Sequence, residues 1–135
     1  MDVEILALCD AATEHAGKLN IVGVFDQINA PNAPLVTRPC CVASRMRFMS
    51  LEAGNKSIRI AIVDADGRDV LPAISLNSVV QVPDNVPSAT LQIVVQIQQL
   101  SLPHFGEYAV ALAVDGRVEK SIPLFAKQFH QPQTG

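Results

Sequence analysis

The densest group of side chains that could do chemistry is the acidic segment DADGRD. Asp64, Asp66 and Asp69 offer the oxygen ligands that Ca²⁺ prefers. Their spacing differs from that of an EF-hand, whose loop ends in a bidentate glutamate. Asp66 is followed by Gly67, and an Asp-Gly pair favours a tight hairpin turn because both residues tolerate positive φ. We therefore interpret the segment as a turn in which aspartates bond their own backbone, and expect neither a metal nor a cofactor.

The histidines are interpreted as surface residues. His15, His104 and His130 are far apart in the sequence, whereas zinc ligands usually occur in local pairs such as CxxC or HxxxH. The sequence also lacks a GxSxG elbow, a glycine-rich phosphate loop and an HExxH helix. These absences leave the common hydrolases, nucleotide-binding proteins and metalloproteases without support.

The cysteines are interpreted as reduced thiols. Cys9, Cys40 and Cys41 are odd in number and lack ligand spacing, and neighbouring cysteines rarely bond each other. Cys40 and Cys41 are expected to face opposite sides of a strand. Cys9 with Asp10 and His15 is the nearest approach to a nucleophile with a base, but a thiol in an apolar strand is more often inert packing.

A possible interaction surface follows from a predicted hairpin. If EAGNK closes a three-residue loop, Phe48 faces Ile60 on an inner face. The outer face then carries a basic, partly apolar strip of four residues, which are Arg45, Arg47, Met49 and Arg59. Such a strip suits an acidic partner or a second subunit. The alternative is an ordinary solvated sheet face.

Composition narrows the class of partner. The 135-residue chain is only 17% charged, against a usual share of about 25%, which favours an oligomer or a covered face. Its net charge is -3, so no basic field exists to attract nucleic acid. The acidic N-terminus lacks a basic signal region, and no apolar run is long enough to span a membrane. We expect a cytoplasmic protein.

Alternating side chains predict β-strands along most of the chain. The segment TLQIVVQIQQL places four apolar residues on one face, which are Leu91, Ile93, Val95 and Ile97. A second alternating run ends at Asp115-Gly116, and we expect Gly67 and Gly116 to form the turns of two hairpins.

These strands predict an all-β fold. We count about seven or eight short strands, and find no amphipathic helix of about 10 to 15 residues that would indicate βαβ units. The expected architecture is a two-sheet antiparallel β-sandwich with Greek-key connections. Residues 1–128 are expected to form a single domain, and residues 129–135 a flexible tail.

One local pattern resembles the tyrosine corner of immunoglobulin-like sandwiches. Leu100, His104, Gly106 and Tyr108 stand at its offsets, where the tyrosine bonds backbone a few residues upstream. His104 stands where an acid is common, and Val110 where a disulfide cysteine would be. The resemblance is to cytoplasmic immunoglobulin-like or fibronectin-like domains, and Tyr108 is expected to be structural.

A second resemblance covers the whole chain. It rests on the motif LCDAA at residues 8–12, GKLNIVGVFDQI at residues 17–28, Pro34, the turn at residues 64–67 and the GEY…VDG hairpin at residues 106–116. In these segments the chain resembles a family of small bacterial proteins of unknown function. The resemblance implies a shared sandwich fold and carries over no catalytic residue.

Three classes of function remain open. A non-catalytic interaction or assembly module, with a protein partner or a second copy, fits the low charge and the sheet surfaces best. A small-ligand or carbohydrate-binding sandwich is the alternative, although no tryptophan and one tyrosine leave little to stack on a sugar ring. An enzyme with an unrecognised site is the third, since residues that converge only in three dimensions escape this reasoning.

Overall fold

The computed structural model describes residues 1–129, and this part of the chain is all-β. Its only helical element is a short 3-10 helix (Ser50–Glu52). The described residues form eleven strands, which are β1 (Asp2–His15), β2 (Lys18–Val24), β3 (Gln27–Ala30), β4 (Leu35–Val36), β5 (Cys40–Met49), β6 (Gly54–Asp64), β7 (Ile74–Val80), β8 (Ser88–Ile97), β9 (Ser101–Leu102), β10 (Gly106–Val114) and β11 (Arg117–Gln128). The count exceeds the seven or eight predicted because β3, β4 and β9 are too short to show an alternating pattern.

The first sheet has the order β2-β1-β5-β8, and all its neighbours are antiparallel. This sheet curls, so that the β1–β2 hairpin folds back over its outer face. The side-chain amide of Gln92 on β8 donates a 3.0 Å hydrogen bond to the carbonyl of Gly17 at the tip of that hairpin. The hairpin therefore reaches from the β2 side of the sheet to β8.

The second sheet has the order β3-β11-β10-β6-β7, while β4 and β9 form a separate two-stranded pair. β3 pairs parallel with β11, so the prediction of a purely antiparallel fold is wrong at this position. Phe25 and Asp26 connect β2 of the first sheet to β3 of the second sheet. Phe25 N–H donates to Leu8 O at 2.9 Å, and Asp26 O accepts from Phe125 N–H at 2.8 Å.

Side chains from both main sheets form one hydrophobic cluster. In β8, Ile93, Val95 and Ile97 are buried and Leu91 packs at the margin, which confirms the predicted alternation. The largest fully buried side chains of the two sheets are Phe48, Leu8, Met46, Ile58, Leu112 and Leu124. Burial of each such side chain stabilises the fold by about 1.5 to 3 kcal/mol before conformational entropy is counted.

A second, smaller cluster lies on the outer face of the first sheet, under the β1–β2 hairpin. Its buried members are Cys9, Ala12, Cys41 and Ala43, and Leu19, Ile21 and Val94 pack against it. Cys40 belongs to the main core instead. The two neighbouring cysteines therefore face opposite sides of β5, as predicted, and the three cysteines are free thiols.

Both predicted Asp-Gly turns are present. Gly67 has a φ of 80° and Gly116 a φ of 82°, values that glycine adopts without steric cost. The Asp64 carboxylate accepts hydrogen bonds from the backbone N–H groups of Asp66 at 2.9 Å and Arg68 at 3.0 Å. This aspartate thus uses its acceptors within its own turn.

The C-terminal end of the described chain is held at Phe129, whose N–H donates to Ala30 O at 3.2 Å. The rest of the predicted tail, residues 130–135, and with it His130, lies outside the described residues. Within residues 1–129, no helix is long and apolar enough to cross a membrane.

Candidate functional site

The predicted basic strip is divided between the two sheets, so the hairpin on which it was based is wrong. β5 pairs with β1 and β8, whereas β6 pairs with β10 and β7. The 3-10 helix between them carries the chain from one sheet to the other. Arg45, Arg47 and Met49 lie on the first sheet and Arg59 on the second.

The positive charge of Arg45 and Arg47 is neutralised by Glu4. The β1–β5 register shifts between Val3 and Ile5, and this irregularity places Glu4 between the two arginines. One carboxylate oxygen of Glu4 accepts from Arg45 Nε and the other from Arg47 Nε, each at 2.8 Å. The hydrogen bond from Arg47, and then that from Arg45, lowers the pKa of Glu4.

Arg59 is paired as well. Its Nη2 donates to Asp69 Oδ2 at 2.9 Å, and both side chains remain largely in solvent, where such a pair contributes little stability. Met49 is 50% exposed at the end of β5. The four predicted residues therefore do not form one basic surface.

The two arginines of β5 instead bind side chains of the neighbouring strand β8. Arg45 Nη1 donates to Gln92 Oε1 at 3.0 Å, and Arg47 Nη1 donates to Ser88 Oγ at 2.8 Å. Cys41 Sγ lies 3.1 Å from Gln96 Oε1 further along the same strand. These contacts hold outward-facing side chains of β8 in place at the edge of the first sheet.

β7 and β8 together form what we call the uncharged edge. Each is the last strand of its sheet. Near the opposite ends of the two sheets, β1 packs against β11. β7 and β8 therefore close the same side of the molecule. The chain has ten basic and thirteen acidic residues, but only Asp84 among residues 70–106. Neither strand contains a charged residue or a proline.

The opposite side of the molecule carries features that discourage strand pairing. β3 has only four residues. β2 begins with Lys18, and Gly23 within it has a φ of 70°, which distorts the strand. Short edge strands, lysines and bulges are the usual means by which proteins block edge-to-edge association. The uncharged edge, with a seven-residue and a ten-residue strand, lacks them.

The predicted contact of Tyr108 with upstream backbone is present. Its hydroxyl donates to His104 O at 2.7 Å, and the hydroxyl oxygen accepts from His104 N–H at 3.3 Å. His104 Nδ1 also lies 2.8 Å from the hydroxyl. Tyr108 is therefore structural, and it fixes the loop that precedes β10.

A cleft of about 260 Å³ opens between the two sheets at one end of the molecule. Its lining residues come from β1, β3, the connection between β2 and β3, the segment before β5 and the first residue of β5. They are Asp10, Phe25, Gln27, Ile28, Thr37, Arg38, Pro39 and Cys40. Four of them, Asp10, Phe25, Gln27 and Ile28, belong to the N-terminal motif described above.

The Cys40 thiol forms part of the apolar wall of this cleft. Burial raises the pKa of this thiol, although a hydrogen bond to Thr37 opposes the shift. A protonated, buried thiol is a poor nucleophile. The cleft therefore offers binding groups, and Cys40 contributes to it as an apolar side chain.

A larger cavity of about 370 Å³ at the β5–β6 crossing is lined by several charged residues, some of which are paired with each other. The Met1 ammonium contacts Glu52, and Lys56 Nζ lies 3.7 Å from Asp115 Oδ2 and 5.7 Å from the centre of the Phe48 ring. These contacts engage the Met1 ammonium, Glu52, Lys56 and Asp115, while Arg117 and Glu119 also line the cavity. No cluster of potential metal ligands occurs within residues 1–129.

The chain belongs to a family of unknown function, DUF6941, whose model matches residues 4–127. This match confirms the resemblance seen in the sequence motifs. A search of the curated proteins finds no match to the chain.

Proposed function

We propose that this protein is a non-catalytic assembly module that associates through the uncharged edge. In this proposal the fold is a two-sheet sandwich of the immunoglobulin-like class, and the module acts in the bacterial cytoplasm. Free, buried thiols at Cys9, Cys40 and Cys41 support a reducing compartment. The observation that carries the proposal is that the two edge strands β7 and β8 contain no charged residue.

β8 supplies the chemistry of association. It has ten residues, and among the described strands its one neighbour is β5. On its other side no described strand pairs with β8, although the tip of the β1–β2 hairpin contacts it at Gln92, and the unpaired N–H and C=O groups of a strand edge can accept a further antiparallel strand. An added strand would satisfy these groups and extend the four-stranded sheet, which is the usual basis of β-strand addition.

A second copy of the same chain is the partner that fits this edge. A charged edge placed against itself across a two-fold axis brings like charges together, whereas β8 presents none. In an antiparallel pair centred on Ile93, Thr90 of one copy lies opposite Gln96 of the other, since 93 is midway between these positions. On the outer face, Thr90 would then meet Gln96 and Gln92 would meet Val94, while apolar side chains would meet on the inner face.

Other partners are less well supported. A heterologous protein would find no charge on this edge by which to be selected. The net charge of -3 disfavours nucleic acid. An uncharged edge strand of this length would also be a hazard for aggregation if it were left unpaired.

The proposal is tested by the mass of the wild-type chain in solution together with amide hydrogen exchange. We expect a dimer whose dissociation on dilution is accompanied by faster exchange along β8 and unchanged exchange along β10, which is central in its sheet. A monomer at all concentrations, or a dimer whose dissociation leaves β8 exchange unaltered, would overturn the proposal.

A further inference from the structure

The cleft described above is built from segments that are held in place independently of any ligand. On the side of the second sheet, Asp26 O accepts from Phe125 N–H at 2.8 Å. Next to the β4–β9 pair, Thr37 N–H donates to Leu100 O at 2.9 Å, and Thr37 Oγ1 accepts from Leu100 N–H at 3.3 Å. Both walls are thus fixed to neighbouring elements, so the cleft is preformed.

The position of Asp10 at this cleft depends on Gly23. A β-carbon at Gly23 would lie 2.3 Å from Asp10 Oδ2, so the carboxylate occupies space that only glycine leaves open. Cys9 is paired with Cys41, which places Asp10 beside Cys40 on the inner side of the β1–β5 pair. The carboxylate is therefore directed to the end of the sheets at which the cleft opens.

Two opposite charges at the cleft are without protein partners. Within residues 1–129, no hydrogen bond or ion pair engages the Asp10 carboxylate or the Arg38 guanidinium. By contrast, Arg45, Arg47, Arg59 and Lys56 each have an acidic partner. The same cleft is also lined by the apolar residues Phe25, Ile28 and Pro39.

We propose that this cleft binds a small zwitterion with an apolar side chain, of the size of a branched-chain amino acid. Asp10 receives the ammonium group and Arg38 the carboxylate, which a guanidinium binds through two parallel hydrogen bonds. The apolar side chain packs against Phe25 and Ile28. A volume of about 260 Å³ is below the range of about 300 to 1,000 Å³ typical of sites for drug-sized ligands, which limits the ligand to this size.

The test uses three probes that differ in one charge each: L-leucine, L-leucinamide without the carboxylate, and N-acetyl-L-leucine without the ammonium. Binding is followed by the backbone amide resonances of Gln27 and Thr37 on the full chain. We expect a saturable shift with L-leucine, and binding weaker by about tenfold or more with each derivative, since each lacks one charge-assisted contact.

Two variants assign the charges. Asp10→Asn should weaken L-leucine binding and abolish its advantage over N-acetyl-L-leucine, and Arg38→Gln should abolish its advantage over L-leucinamide. Asp66→Asn and Arg68→Gln are matched controls in an exposed turn and should change nothing. Unperturbed spectra away from the cleft show that each variant is folded.

The site is excluded if no probe gives saturable shifts at tens of millimolar, if all three bind equally, or if the two cleft variants behave like the controls. None of these outcomes bears on the mass of the protein in solution. The cleft and the uncharged edge are therefore tested separately.

Discussion

The Asp10 carboxylate lies against the backbone of Gly23, at a distance that leaves no room for a side chain there: an added β-carbon would stand 2.3 Å from Asp10 Oδ2. Gly23 also has a φ of 70°, which residues with a β-carbon rarely adopt. Position 23 therefore requires glycine for two reasons. A side chain would collide with Asp10, and the backbone has a positive φ.

Gly23→Ala is expected to destabilise the protein by more than the backbone strain alone, which costs about 1 to 3 kcal/mol. Gly17→Ala is the matched control, because Gly17 has a φ of 75° and open space around its missing side chain. Chemical denaturation of both variants gives the comparison. The double variant Gly23→Ala with Asp10→Ala lacks the carboxylate, so it should recover part of the difference in stability between Gly23→Ala and Gly17→Ala. Equal losses for the two single variants would show that Asp10 exerts no steric demand.

Tyr108→Phe should lower the free energy of unfolding by about 0.5 to 1.5 kcal/mol, because the His104 carbonyl loses the donor that lies 2.7 Å away. His104→Ala keeps that backbone bond and removes the contact between Nδ1 and the hydroxyl, so it should cost less. Thermal and urea denaturation measure both. A larger loss for His104→Ala would mean that the imidazole, and not the backbone bond, makes this corner stable.

The parts of the fold that the sequence predicts are those set by neighbouring residues. Alternation along β8 correctly places Ile93 and Val95 in the core, because a strand turns successive side chains to opposite faces. Asp-Gly pairs correctly mark the turns at Gly67 and Gly116, because these positions need positive φ. The bond from Tyr108 spans only four residues and was predicted for the same reason.

The parts that depend on distant pairing were missed. Two alternating strands joined by a short irregular segment can form a hairpin or cross from one sheet to the other, and their sequence pattern is the same in both cases. The hairpin interpretation puts Arg45 and Arg59 on one face, whereas they lie on different sheets. The charge-free run at residues 70–106 is visible in the sequence. That this run forms the edges of two sheets is seen only in the structure, where β7 and β8 are the last strands. The cleft is also not predictable from the sequence, because Asp10, Gln27 and Arg38 come from three separate segments.

Burial of Cys9 makes the stability of the protein sensitive to alkaline pH. Burial, followed by the neighbouring Cys41, raises the pKa of Cys9 from 9.0 to about 11. A pKa that is raised in the folded state favours the neutral thiol there, so the stabilisation is complete below pH 9 and declines as pH rises towards 11. We expect the free energy of unfolding to fall over this interval in the wild type, and to fall less in Cys9→Ala. Identical pH profiles would contradict this account.

The ion pairs of Glu4 are tested by exchanging charges. Arg47→Glu places a second carboxylate beside Glu4 in place of the hydrogen bond at 2.8 Å, so the melting temperature should fall. Adding Glu4→Arg should restore part of the loss, because opposite charges then meet again. The lowered pKa of Glu4 also predicts that stability declines as the pH drops below the unfolded value of 4.5 and through the folded pKa. An acid profile unchanged in Glu4→Gln would argue against that contribution.

Assembly through β8 is the central claim, and charge placed on that edge tests it. Thr90→Glu lies opposite Arg47 across the β5–β8 pair, and Gln96→Glu preserves shape at an exposed position, so the fold should tolerate both. In the antiparallel dimer these positions face each other, and the new carboxylates would repel. Val118→Glu with Ser121→Glu adds the same charge at exposed positions of β11 and is the control.

The deciding measurement is the molecular mass of these proteins by sedimentation equilibrium at matched concentrations. The account predicts a dimer for the wild type and for the β11 control, and a folded monomer of 14.5 kDa for Thr90→Glu with Gln96→Glu. A monomeric wild type, or an edge variant that remains as dimeric as the control, would contradict it.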